Sequence, residues 1–120
     1  MTRRLLFGLA GLNGAAGVIF AAMGAHGPLA GTNLTTASTM QLIHASAALA
    51  ILAALSGRGG TLAAALLLVG AGLFATALYV GTLTPVSLGP VAPVGGLLMI
   101  AGWLAIIPAA LIRRKGKAAG

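Results

Sequence analysis

Few side chains in this sequence have types and spacing that could carry chemistry: His26, Gln41, His44, Thr76 and Tyr79. Gln41 precedes His44 by three residues and Thr76 precedes Tyr79 by three, so each pair shares a face if the chain is helical there. A neutral His44 bonded to Tyr79, Gln41 or a backbone carbonyl would fix helix register, because buried polar groups find partners and can specify packing. Three sharper chemistries compete with that role. His26 and His44 could hold a haem through two axial imidazoles, although few aromatic residues are available to line it. Met23-x-x-His26 and Met40-x-x-x-His44 set thioether and imidazole on common faces, which suits copper. His44, Tyr79 and Gln41 could relay protons or coordinate a small solute. The expectation adopted is the register role, with no metal, no cofactor and no catalytic residue, since a His–Tyr pair lacks a nucleophile and an orienting group.

Composition narrows the chemistry further. Among 120 residues there is no Asp, Glu or Cys, against seven Lys/Arg and two His. Carboxylate acid–base pairs, carboxylate metal cages, disulfides and thiolate chemistry therefore cannot be built within the chain. A hydrophobic content of 59% with 6% charged residues excludes an ordinary soluble domain, which carries about 25% charge.

Four apolar stretches must position the polar residues, each near the roughly 20 residues that cross a hydrocarbon core. They run over 5–25, 37–55, 61–83 and 91–112. Gly27-Pro28, Ser56–Gly60, Thr84-Pro85 and Arg113–Lys115 divide or end them, as turn-forming dipeptides and charge runs do. The sequence predicts an all-α polytopic membrane protein, an antiparallel four-transmembrane-helix bundle forming one domain over 1–120. Arg3, Arg4, Arg58, Arg113, Arg114, Lys115 and Lys117 all fall on one side of that topology. By the positive-inside bias, both termini are cytoplasmic and the protein is a multi-pass inner-membrane protein. The first apolar run exceeds the about 7–15 residues of a signal h-region, so a retained first span is expected. The polar cluster then gathers near the outer surface, with His44 about seven residues inside the second span.

Membrane helices associate through small residues and interhelical hydrogen bonds. Gly8, Gly11, Gly14 and Gly17 trace a groove along the first span, and Gly24, Gly95, Gly96 and Gly102 offer further contacts. Asn13 lies in this stripe and is expected to bond to a neighbouring helix. Pro93 suits the first turn of the fourth span, whereas Pro108 removes the helical bond to the Leu104 carbonyl and should kink that helix near its cytoplasmic end.

Met23-Gly24-Ala25-His26-Gly27, Gln41-Leu42-Ile43-His44, Leu73–Tyr79, and Ala92–Gly96 with Gly102-Trp103 occur in an order that resembles the YgdD/YwdK-like family of small integral membrane proteins of unknown function. Many members carry an aromatic in place of Met23 and Met40, which makes the sulfur incidental. Ser-Gly-Ser often stands where this chain has Ala75-Thr76-Ala77. The resemblance implies a multi-spanning inner-membrane protein and no established activity or cofactor. The expected partners are the lipid bilayer and either a second copy of the chain or another membrane protein. Nucleic acid is not expected, because the basic residues form no single folded surface. The leading reading is a structural or interaction bundle. The alternative is an oligomeric small-solute or proton transporter, or a ligand-binding unit, using His44 and Tyr79.

Overall fold

The computed structural model describes the backbone of residues 2–119 and the side chains of residues 2–112. Its helices are α1 (Arg3–Ala25), α2 (Asn33–Ala54), α3 (Arg58–Leu83) and α4 (Val91–Ala119), with a 3-10 turn at Gly27–Leu29 between the first two. There is no strand among the described residues. All four helices are long and apolar enough to cross a membrane.

Two threonines decide where helices begin. The Thr2 hydroxyl accepts from the Leu5 amide (3.3 Å) and starts α1. Thr32 accepts from the Leu34 amide (3.4 Å) while donating to the Leu29 carbonyl (2.7 Å). Such a hydroxyl satisfies one of the amides that a helix start leaves free. Residues 33–36, which precede the expected second span, therefore form the first turn of α2. This helix starts four residues before the expected Ala37. Gly57 turns the chain from α2 into α3 at φ +99°, a conformation open to glycine but strained for other residues.

The helices do not close into a ring. In sequence each packs on the next, and α1 also reaches α3, but α4 lies almost wholly along α3. The expected four-helix bundle is thus a cluster of α1, α2 and α3 with α4 on the outer flank of α3. Consistent with this, 44% and 39% of the most apolar stretches of α2 and α3 are buried, against 22% and 17% for α1 and α4. The least apolar span, α2, is the most enclosed. Water would draw polar residues outward, whereas a hydrocarbon environment makes it favourable to bury them.

One core cluster joins Leu6 and Ala10 of α1 to Ala48 and Leu52 of α2 and to Ala64, Leu67 and Leu68 of α3. A smaller one, towards the other end of the helices, holds Leu34, Ala37, Ala75 and Tyr79. Helices α3 and α4 approach closely at glycines. A Cβ added at Gly95 would lie 2.5 Å from the Phe74 amide nitrogen and 2.6 Å from the Gly70 carbonyl oxygen, and one at Gly70 would meet the Gly95 carbonyl oxygen at 2.7 Å. Gly102 is similarly closed against Leu67, and Gly24 sits against Leu34 and Thr35. The expected glycine groove of α1 does not form: Gly8, Gly11 and Gly14 face open space, and only Gly17 in that run packs on α2, at Leu42 and Ser38. Gly96 is likewise open. The α4 helix runs unbroken through Pro108.

The Arg3 guanidinium donates to the Leu52 carbonyl, which places the start of α1 beside the end of α2. Gly59 lies against Ala109 of α4. The starts of α1 and α3 and the later part of α4 therefore share one end of the molecule. The side chains of Arg113, Arg114, Lys115 and Lys117 lie outside the described residues.

Candidate functional site: a polar relay across the helices

Buried polar side chains in this protein bond to one another across helices. The Asn13 side-chain amide donates to the Leu9 carbonyl within α1 (2.9 Å). Its oxygen accepts from Gln41 Nε2 of α2 (3.0 Å), and Gln41 Oε1 accepts from the Tyr79 hydroxyl of α3 (2.7 Å). All three residues are buried. The direction of this relay is fixed at its α1 end. A backbone carbonyl only accepts, so Asn13 must turn its NH2 to Leu9 and its oxygen to Gln41. Gln41 then has to donate, and its own oxygen is left for the tyrosine hydroxyl. Phe20 of α1 stacks on the Tyr79 ring with centroids 3.8 Å apart at 22°.

A second bridge reaches α4. Trp103 Nε1 donates to His44 Nε2 (3.0 Å), and His44 Nδ1 lies 2.6 Å from the Met40 carbonyl oxygen one turn earlier. Indole N–H can only donate, so Nε2 must be the accepting nitrogen. The proton then resides on Nδ1, which donates to Met40. The two bonds together require the neutral Nδ1–H tautomer. The rings meet edge to face, with centroids 5.7 Å apart at 72°. Because α4 otherwise lies along α3, this bond is a direct link between α2 and α4.

Tertiary structure separates residues that the sequence grouped together. Tyr79 pairs with Gln41, and His44 pairs with Trp103. Counting from Asn33, His44 is eleven residues into α2 (44 − 33), or roughly 16 Å at 1.5 Å per residue. Trp103 is twelve residues into α4 (103 − 91), or roughly 18 Å. The His44 bridge thus lies near mid-helix rather than near the outer surface, since α2 begins earlier than expected. His26 is exposed at the C-terminal cap of α1 and joins neither bridge. Thr76 is exposed. Pro93 is exposed in the first turn of α4, and Gly95 serves the α3–α4 contact.

These bonds bear on the sharper chemistries. Both ring nitrogens of His44 are engaged inside the protein, so ligating a metal through it would break the Trp103 or the Met40 bond. Among the described residues no group of three His, Cys, Asp or Glu converges. No buried side-chain nitrogen or oxygen among them lacks a hydrogen-bond partner. One opening does reach the relay: a cleft of about 340 Å³ lined by Ala16 and Phe20 of α1, Gln41 of α2, Thr76, Tyr79, Val80 and Leu83 of α3, and Thr84. His44 does not line it.

Asn13 bonds to a neighbouring helix as expected. Trp103 did not emerge as a site residue from sequence, because its partner is 59 positions away. A usable signal existed: tryptophans of membrane proteins concentrate at the two interfaces, and the only one here lies mid-span.

The family model described as "Protein of unknown function (DUF423)" matches residues 20–96, which include His26, Gln41, His44, Thr76 and Tyr79. No curated protein and no solved structure matches the chain.

Proposed function

The chain belongs to the DUF423 family of proteins of unknown function, and from that premise we propose that it is a non-catalytic membrane scaffold. Its interior polar bonds set the packing of α1–α4, and its outer faces dock another membrane protein or a second copy of the chain. The observation that carries this reading is the closed bonding of the interior. Asn13, Gln41 and Tyr79 satisfy one another, and His44 spends both ring nitrogens on Met40 and Trp103. Such groups specify a packing rather than await a substrate. The resemblance of the Gln41–His44 and Ala92–Gly96 segments supports a YgdD/YwdK-like identity within the family. Arg3 and Arg58, which line one cleft at the same end of the molecule, support an inner-membrane location with both termini cytoplasmic.

Stability tests the scaffold reading. Tyr79→Phe removes one hydroxyl but keeps the ring stacked on Phe20, and should cost about 1 kcal/mol. Gln41→Leu strands both the Asn13 oxygen and the Tyr79 hydroxyl, and should cost more, about 1–3 kcal/mol. Thermal unfolding of the purified protein in detergent reads the order. Two variants as stable as the parent would remove the packing role.

The cleft of about 340 Å³ favours a second reading, a ligand-binding or transport unit built on Gln41, Thr76 and Tyr79. In that case His44 is supporting structure. A small amphiphile that raises the melting temperature of the parent protein but not of Thr76→Phe would establish it.

A further inference from the structure

We propose that the cleft between Arg3 and Arg58 is a binding site for the phosphate group of an anionic phospholipid. This cleft, about 490 Å³ in volume, is lined by Arg3, Gly57, Arg58, Thr61, Leu62 and Ala65. It brings the first residue of α1 and the first residue of α3 to one opening. Both side chains carry a guanidinium group with a planar fork of donors. Arg3 gives one hydrogen bond to the Leu52 carbonyl and keeps further donors of its five. The Arg58 side chain has no hydrogen-bond or ion-pair partner among the described residues.

Nothing in the side chains can balance this pair, because the sequence contains no Asp and no Glu. Among the described residues no anion faces these two cations, which share one cleft at the end of apolar helices, so the cleft suits an anion from outside the chain. Guanidinium forks match phosphate oxygens with paired donors. The lining also changes character along α3. Arg58 and Thr61 are followed by Leu62 and Ala65, further into the span, and Leu62 is 57% exposed. A polar head beside an apolar wall fits the phosphate and acyl chain of a lipid better than it fits a free anion. The cleft shares no residue with the Asn13–Gln41–Tyr79 relay, so the two assignments stand or fall separately.

Native mass spectrometry and thermal unfolding of the full-length protein in neutral detergent test the site, with phosphatidylglycerol, phosphatidylcholine and inorganic phosphate as probes. Phosphatidylglycerol should be retained and should raise the melting temperature; phosphatidylcholine should do neither. Arg58→Gln should weaken phosphatidylglycerol binding about five-fold, the worth of one basic residue near an anionic surface. Arg58→Lys should keep the preference over phosphatidylcholine. Arg4→Gln, at a residue lining a separate groove with Leu5 and Gly8, should leave binding unchanged. The Arg58 side chain bonds to no described residue, so its replacement should leave folding intact. Equal retention of the two lipids, undiminished binding to Arg58→Gln, or equal losses in Arg4→Gln and Arg58→Gln would overturn the proposal. A melting-temperature rise from inorganic phosphate matching that from phosphatidylglycerol would assign the cleft to a free anion and overturn it too.

Discussion

Trp103 and His44 form a pair in which each partner leaves the other one arrangement. The indole must donate, the imidazole must accept at Nε2, and the Met40 carbonyl takes the remaining proton. The hydrogen bond should therefore couple the two residues energetically. A double-mutant cycle of His44→Ala and Trp103→Phe should give about 0.6 kcal/mol of coupling, and at most about 1.7, the range for side-chain bonds between membrane helices. The chain has a single tryptophan, so its fluorescence reports the same contact. His44→Ala should shift the Trp103 emission maximum. Additive stabilities together with an unchanged spectrum would mean that the rings are merely neighbours.

Between elements, backbone proximity matters more than side-chain volume. Along α3 and α4 the chains meet at Gly70 and Gly95, where even a methyl group would collide with backbone atoms that cannot rotate away. Gly95→Ala should push α4 from α3 and cost about 1–3 kcal/mol, the usual range for overpacking. One residue later, Gly96 meets nothing within 4 Å, and Gly96→Ala should leave stability unchanged or slightly raised, since alanine favours helix. Melting temperatures of the two variants side by side check this. Similar losses in both would place the α3–α4 contact on a different face. The same reasoning explains why glycine spacing was a poor guide in α1. The i, i+3 pattern of Gly8, Gly11 and Gly14 marks a smooth helical surface, but the neighbour it faces is set by how α2 and α3 pack.

At the scale of the whole molecule, α2 and α3 form the enclosed centre, and α1 and α4 present most of their surface outward. Leu12, Val18, Leu97, Ile100, Leu104 and Ile107 are all more than half exposed, as suits side chains that face lipid. Under the proposed orientation the α1–α2 connection lies outside the cytoplasm. A reporter inserted at Asn33 should then respond as an external group, and a cytoplasmic signal would reverse the topology. The proposed lipid site lies at the opposite end, where Arg3 and Arg58 line one cleft. Lipid contact and the polar relay thus occupy different depths of one small protein.

The sequence by itself determined that the chain is helical, that four of its stretches are long and apolar enough to cross a membrane, and that it carries no carboxylate or thiol side chain. These properties follow from composition and from the lengths of apolar runs, which are local and additive. It also made Gln41, His44 and Tyr79 visible, because a polar group inside an apolar span is costly and must be compensated. It could not assign the compensation. The bonds Gln41–Asn13, Tyr79–Gln41 and Trp103–His44 join residues 28, 38 and 59 positions apart, and their pairing depends on the rotation and depth of whole helices. Thr32 as the cap of α2 places His44 near the middle of that helix, and the Gly70–Gly95 contact sets α4 along α3. Only the tertiary structure decided those placements, because helix faces are chosen by mutual packing and not by any one segment's own pattern.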